Sequence, residues 1–223
     1  MARVLIVGGV AGGATAAARL RRMDEKAEIV IFERGDYISY ANCGLPYYIG
    51  RAIKERERLF VQTPQGFSRR FKVDVRTGAE VTRILRAEKR VEVADRNNGK
   101  SYSERYDKLV LSPGAEPIRP GVPGVSLPGI FTLRSVPDTD RIKEYIDKYA
   151  PRKALIVGAG FIGLEMAENL HSLGMMVTIV EMAEQVMTPL DYEMAAEVHQ
   201  HLKTKNVEFY LKAVSYTHLT LPT

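Results

Sequence analysis

Ala154-Leu155-Ile156-Val157-Gly158-Ala159-Gly160-Phe161-Ile162-Gly163 carries an unbroken apolar tetrad directly into glycines spaced G-x-G-x-x-G. A short apolar run of this kind fits a strand buried on both faces of a parallel sheet. Three glycines then have three separate jobs. Gly158 makes the tight turn, Gly160 lets the backbone approach a pyrophosphate, and Gly163 lets the following helix pack closely on the strand. Leu164 to Leu173 reads as that helix, and Val177 to Val180 as the next strand, ending at Glu181, eighteen residues after the last glycine. The helix N-terminus offers free N–H groups and a positive partial charge to phosphates. A carboxylate at Glu181 accepts from both ribose hydroxyls and repels a 2′-phosphate, and no Arg or Lys follows between Met182 and Gln185. The expected ligand is therefore NADH rather than NADPH, with Gly158, Gly160, Phe161, Ile162, Gly163 and Glu181 around it. A glycine turn without a ligand is the plainer alternative, and the strand, helix and acid all standing in register argue against it.

The same plan occurs near the N-terminus. Val4 to Val7 is an apolar run, Gly8-Gly9-Val10-Ala11-Gly12-Gly13 a glycine turn with Val10 in the middle place, and Ala14 to Met23 a helix of small residues. Ile29 to Phe32 is a second buried strand, and Glu33 lies twenty residues after Gly13, where a ribose-binding acid belongs. Two dinucleotide folds in one chain suggest two dinucleotides, and FAD is the natural second one because a flavin passes electrons between a nicotinamide and a thiol.

Between these copies, Asp36 to Gly50 reads as a polar, aromatic loop and Val73 to Val75 as a short strand. Val81, Ile84, Val91 and Val93 alternate with charged residues around the turn Asn97-Asn98-Gly99-Lys100, as in an antiparallel β-meander. Lys108 to Leu111 is a further buried strand closing on Ser112-Pro113-Gly114. Pro117 to Pro128 is a Pro/Gly-rich linker and Asp138 to Tyr149 an amphipathic helix. Tyr192 to Lys205 reads as a helix and Val207 to Tyr210 as a strand. The expected architecture is α/β with two Rossmann-like domains. Residues 1–116 form the first part of an FAD domain with a meander insertion, 117–150 a linker and helix, and 151–213 an incomplete NAD(P)H domain. Residues 214–223 show neither helical nor strand period and read as a non-native tail.

The 223-residue chain carries a net charge of +5 with no long basic run, so a nucleic-acid partner is not expected. Met1 to Ala18 has the outline of a signal peptide, but its four glycines and its continuation into the first dinucleotide pattern outweigh that reading. No segment is long and apolar enough to cross a membrane. The single cysteine, Cys43, excludes an intramolecular disulfide and fits a reducing, cytoplasmic compartment. A lone cysteine is commonly a small core residue. Cys43 instead has polar neighbours in a Gly/Pro-containing loop, and a helix opening near Pro46 would favour its thiolate.

Ser39-Tyr40-Ala41-Asn42-Cys43-Gly44-Leu45-Pro46-Tyr47-Tyr48-Ile49-Gly50 resembles the active-site segment of the coenzyme A disulfide reductases, within the pyridine nucleotide–disulfide oxidoreductases. The first glycine turn, with its missing middle glycine, is similar to that subgroup as well. The resemblance implies FAD in the first turn, NAD(P)H in the second, and a mixed disulfide between Cys43 and coenzyme A. It implies FAD contacts from Gly8, Gly9, Ala11, Gly12, Gly13, Glu33, Arg34, Asn42, Val81, Ser112 and Gly114. Substrate contacts would come from Thr15, Arg19, Arg22, Ser39 and Asn42. Thr15, Arg19 and Arg22 share one helix face, where two guanidiniums meet phosphates together; a solvated basic helix end is the plain alternative. Some members have a coenzyme A-binding lysine where this chain has Phe71. Phe67 and Phe71 either pack on the pantetheine arm, as in persulfide-reducing relatives, or serve the core. The resemblance also implies a homodimeric full-length parent with further segments.

The expected reaction passes electrons from NADH through FAD to a disulfide or persulfide bonded to Cys43. An NADH oxidase or peroxidase working through a Cys43 sulfenic acid is the alternative on the same frame. A non-catalytic nucleotide-binding module is the alternative from another class. No metal site is expected.

Overall fold

The computed structural model describes residues 2–213; the expected non-native tail lies outside them. In chain order the elements are β1 (Arg3–Val7), α1 (Gly12–Met23), β2 (Glu28–Glu33), a 3-10 turn (Asn42–Gly44), α2 (Leu45–Ile49), a second 3-10 turn (Arg56–Leu59), α3 (Pro64–Phe71), β3 (Asp74–Thr77), β4 (Ala79–Leu85), β5 (Arg90–Asp95), β6 (Lys100–Arg105), β7 (Lys108–Leu111), α4 (Val136–Tyr149), β8 (Lys153–Val157), α5 (Phe161–Ser172), β9 (Met176–Val180), α6 (Tyr192–Thr204) and β10 (Glu208–Tyr210).

The chain divides into two units, one comprising Met1–Ala41 and Glu57–Glu116, the other Asn42–Arg56 and the residues from Pro117 onward. The contiguous domains expected from the sequence differ from this in two respects: residues 117–150 are no separate segment, since Ile142 of α4 joins the second unit's core, and residues 42–56 leave the first unit. Residues 42–56, which carry Cys43, pack in the second unit, because Ile49 joins the apolar cluster of Met166, Ala167 and Leu170.

In the first unit four strands lie in the order β3-β2-β1-β7, all parallel. Val4, Leu5 and Ile6 of β1 and Ile29 to Phe32 of β2 are buried on both faces, the reason their sequences are unbroken apolar runs rather than alternating ones. Ala14 and Ala17 turn the small side of α1 onto Val4, Ile6, Ile29 and Ile31. The opposite sheet face packs Leu5, Val30 and Phe32 against Val91 and Val93 of the antiparallel β4-β5-β6 meander. A register irregularity between Val81 and Arg83 bends β4. Helix α3 is an addition to the sequence reading. Thr63 caps it by accepting from the Gly66 N–H at 3.0 Å, and Pro64 occupies its first turn.

The second unit has three parallel strands in the order β10-β9-β8. Its core gathers Ile142 of α4, Met166, Ala167 and Leu170 of α5, Val177 and Ile179 of β9, and Leu202 of α6. β8 is at one edge of this sheet, and Leu155 and Val157 on one of its faces are exposed. Helix α4 begins with a Ser135/Asp138 box in which the Asp138 carboxylate accepts from both the N–H and the hydroxyl of Ser135. Among the described residues, no helix is long and apolar enough to cross a membrane.

Candidate functional site: two dinucleotide turns and an exposed thiol

Each glycine turn is built from the strand–helix junction its sequence encodes, and the two are built alike. In the first unit the Gly8 N–H donates to Phe32 O at 2.8 Å; in the second the Gly158 N–H donates to Val180 O at 2.8 Å. Both glycines hold a positive φ, 94° and 102°, that a side chain would oppose. A Cβ on Gly13 would lie 1.8 Å from Gly8 O, and one on Gly163 would lie 2.0 Å from Gly158 O. The third glycine of each motif is therefore set by helix-to-strand contact. Gly160 is different, since a Cβ there would meet nothing within 4 Å. Its glycine serves no packing purpose inside the protein and leaves the backbone open to an approaching group.

Glu33 and Glu181 occupy equivalent places. Glu33 accepts from the N–H groups of Gly9 and Gly35, both at 2.8 Å. Glu181 accepts from Ala159 at 2.6 Å and Ala183 at 2.8 Å. Each carboxylate braces its own glycine turn, and since an ionised carboxylate offers about four acceptor sites, capacity for ribose hydroxyls is left. This double duty was not anticipated from spacing. A second shared bond backs each turn, from Ser39 N–H to Gly9 O at 3.0 Å and from Met187 N–H to Ala159 O at 2.9 Å. Ser39 and Met187 both adopt a left-handed φ, at 46° and 50°.

Helices α1 and α5 carry neither a capping side chain nor an acid in the first turn. Their leading N–H groups remain available to phosphate oxygens. The residues thus fit a dinucleotide pyrophosphate at each turn. In the first unit, the Ser112-Pro113-Gly114 turn closes on the glycines. Ser112 N–H donates to Val7 O at 2.8 Å, and its hydroxyl stands 2.5 Å from where a Gly12 Cβ would be. Ala11, Gly12 and Gly114 are exposed beside it, and Val81 is half-buried at the β4 irregularity. Arg34 pairs with Glu116 and, at 3.8 Å, with Glu80. Phe161 and Ile162, which follow Gly160, are exposed.

Thr15, Arg19 and Arg22 are exposed on one face of α1, opposite Ala14 and Ala17. Neither Arg19 nor Arg22 has an ion-pair partner among the described residues, which leaves two guanidiniums for an anion. Arg21, between them, is consumed structurally and donates to the carbonyls of Phe71, Lys72, Asp24 and Glu25. Phe67 is buried in the core below α1, and Phe71, in ring contact with it, is half-buried. Phe67 packs rather than presents itself, and only Phe71 keeps an accessible face.

In the second unit, Asn42 and Cys43 are exposed in the 3-10 turn that leads into α2, and Cys43 is a free thiol. Glu165 of α5, burial, Glu168 and Cys43 together push the Tyr47 phenol above its ordinary range, so it keeps its proton. Asn169 of α5 is buried, donates to Glu165 O at 2.8 Å, and packs on Gly50 at the end of α2. The sequence reading did not single out Asn169; the signal was an amide among the apolar Met166, Ala167 and Leu170.

A family model described as pyridine nucleotide-disulphide oxidoreductase matches residues 2–217. The coenzyme A disulfide reductase of Staphylococcus haemolyticus is 40% identical over 211 residues, which is 95% of this chain and 47% of that protein. The crystal structure of reduced Bacillus anthracis CoADR-RHD matches with a TM-score of 0.93 and 53% identity, covering 98% of this chain and 40% of that one. A NAD-dependent persulfide reductase from A. fulgidus matches with a TM-score of 0.89 and 39% identity, covering 94% and 39%. The chain spans about half the length of the curated relatives it matches. From its twice-built glycine turns and from these likenesses, the chain belongs to the pyridine nucleotide-disulphide oxidoreductases.

Proposed function

We propose that this chain is the electron-delivering part of an NADH-dependent flavoprotein that reduces coenzyme A disulfide, or a related persulfide, at Cys43. The observation that carries the reading is an exposed, unpaired thiol in a chain with two dinucleotide turns of one hydrogen-bonding plan. Gly8, Gly9, Ala11, Gly12, Gly13, Glu33, Ser112 and Gly114 are assigned to FAD, with Arg34, Asn42 and Val81 at its margins. Gly158, Gly160, Phe161, Ile162, Gly163 and Glu181 are assigned to NADH. FAD, when bound, supplies the two-electron link between NADH and sulfur.

Each protein residue has a definite task. Glu33 and Glu181 hold their turns, and Glu181 adds negative charge where a 2′-phosphate would sit, which favours NADH. Thr15, Arg19 and Arg22 take the phosphates of coenzyme A, because unpaired guanidiniums form charge-assisted bonds to them. Phe71 offers its open face to the pantetheine arm. The Cys43 thiolate attacks one sulfur of the disulfide, forming a new S–S bond and releasing the other half as a thiolate. Two electrons then cleave that bond, return Cys43 to thiolate and free the second thiol. Similarity to the Staphylococcus and A. fulgidus proteins supports the disulfide and persulfide substrates.

The test is steady-state turnover of the flavin-loaded protein with NADH and coenzyme A disulfide, a persulfide, and peroxide. Cys43→Ser is expected to abolish disulfide turnover and to retain flavin bleaching by NADH. Disulfide turnover that survives the substitution would remove Cys43 from the mechanism. Preferential turnover of peroxide would move the reading to the sulfenic-acid alternative.

A further inference from the structure

Helix α2 has only five residues, too few to set its own direction, so its orientation is borrowed from what it packs against. On one side it meets α4, where Arg56 grips the Asp140 carboxylate through both Nε and Nη2, and Arg51 pairs with Asp147 at 2.7 Å. On the other it meets α5, where Ile49 enters the Met166/Ala167/Leu170 cluster. The tightest approach is at Gly50. This residue has φ −73° and ψ 0°, a conformation open to any amino acid. Space, not backbone freedom, demands the glycine. A Cβ at Gly50 would stand 2.0 Å from Asn169 Oδ1 and 2.7 Å from both Asn169 Cβ and Cγ.

Asn169 is equally constrained. It is 4% exposed, and its amide donates to Glu165 O one turn back on α5 at 2.8 Å. That bond fixes the side chain, and because Asn169 Cβ itself abuts Gly50, no rotamer change relieves the contact. From Gly50 the chain runs back through α2, closed by Gly50 N–H to Pro46 O at 2.9 Å, and into the 3-10 turn holding Cys43. A stop at Gly50 therefore sets the position of the whole short segment.

We infer that Asn169 is a positioning residue, which through its contact with Gly50 fixes the Cys43 turn on the helix that begins at the second glycine turn. The contact stands by itself; its catalytic meaning rests on the assignment of Cys43 as the redox thiol. That adds a second-site relationship between two residues, Gly50 and Asn169, that are not among those assigned to nucleotide or substrate.

The experiment uses the flavin-loaded protein. Gly50→Ala is compared with wild type for the alkylation rate of Cys43 by iodoacetamide, for disulfide turnover, and for NADH-driven ferricyanide reduction. Displacing a reacting sulfur by about 1 Å is expected to lower kcat for the disulfide by about tenfold or more, with little change in KM. The alkylation rate shifts with it, while ferricyanide reduction stays within about twofold. Adding Asn169→Gly to Gly50→Ala restores both the alkylation rate and kcat, which a merely structural defect would not do. Asn169→Ala alone, which opens space without crowding Gly50, changes the alkylation rate in a protein that folds. Unchanged alkylation and turnover in Gly50→Ala or in Asn169→Ala, or a Gly50→Ala defect that Asn169→Gly does not relieve, would overturn the inference. If Cys43→Ser retains disulfide turnover, the redox assignment fails separately, and the alkylation rates still decide the positioning role.

Discussion

Gly160 and Gly163 stand three residues apart in one motif, and the structure gives them opposite reasons for being glycine. Alanine at Gly163 would place its Cβ 2.0 Å from Gly158 O and 3.1 Å from Gly158 C. Both obstacles are backbone, so α5 must retreat from β8. Forced overpacking of this kind costs typically about 1–3 kcal/mol, and a backbone obstacle belongs at the upper end. A Cβ at Gly160 meets nothing within 4 Å, and its φ of −79° suits alanine. Losing a helix N-cap glycine and stiffening the unfolded chain act in opposite directions, so stability is expected to stay within about 1 kcal/mol of wild type. Binding reverses the order. On the proposed assignment a Gly160 Cβ would stand where the pyrophosphate approaches, and the NADH dissociation constant is expected to rise by about tenfold or more, equivalent to about 1.4 kcal/mol. Denaturant unfolding and NADH fluorescence titration of the two variants measure both quantities. If Gly160→Ala unfolds as readily as Gly163→Ala, or binds NADH as tightly as wild type, the assignment of the open glycine to the ligand is wrong.

Three other perturbations follow from particular contacts. Arg19→Ala and Arg22→Ala should each raise KM for coenzyme A disulfide by about tenfold while leaving kcat nearly unchanged, and the defect should shrink as salt is added. For Asp138, burial raises the carboxyl, but the bonds from Ser135, Arg141 and Arg134 outweigh it and hold it below its ordinary range. Its stabilisation is then present above the ordinary carboxylate value and lost as pH falls through the depressed one; Asp138→Asn should cost about 1 kcal/mol at neutral pH and flatten that acid limb in thermal melts. His199 accepts from the Val186 N–H through Nε2 at 3.2 Å, and burial together with Lys203 lowers its pKa. The unfolded chain therefore binds the extra proton first, so the melting temperature should drop as pH falls through about 6.5, and His199→Gln should remove that step.

Much of the fold was legible because local pattern and tertiary environment agree. β1 and β2 read as apolar runs because both their faces are covered, whereas β7 and β8 show the same pattern with Leu111, Leu155 and Val157 exposed, against the buried strands expected there; the glycine spacings encode contacts only a few residues long. The β-meander was legible from alternation around Asn97-Asn98-Gly99-Lys100. Helix α3 was less so, since Gln65, Gly66 and Ser68 dilute its period; the Thr63-Pro64 start was the available signal. What no local pattern reveals is the placement of residues 42–56 with the second unit. That depends on Ile49 and Gly50 meeting Met166 and Asn169, residues far apart in sequence whose fit is one of shape. The same holds for Glu33 and Glu181. Spacing marked them as carboxylates beside a ribose, but the bonds to Gly9 and Ala159 that brace the turns arise only in three dimensions.

The proposed reaction requires one sulfur, that of Cys43, to take the substrate's sulfur covalently. The decisive measurement is mass spectrometry of the oxidised protein after brief exposure to coenzyme A disulfide. One coenzyme A adduct is expected, on the peptide containing Cys43, and it disappears when NADH is added under anaerobic conditions. An unmodified Cys43 peptide, or an adduct that NADH fails to discharge, would contradict it.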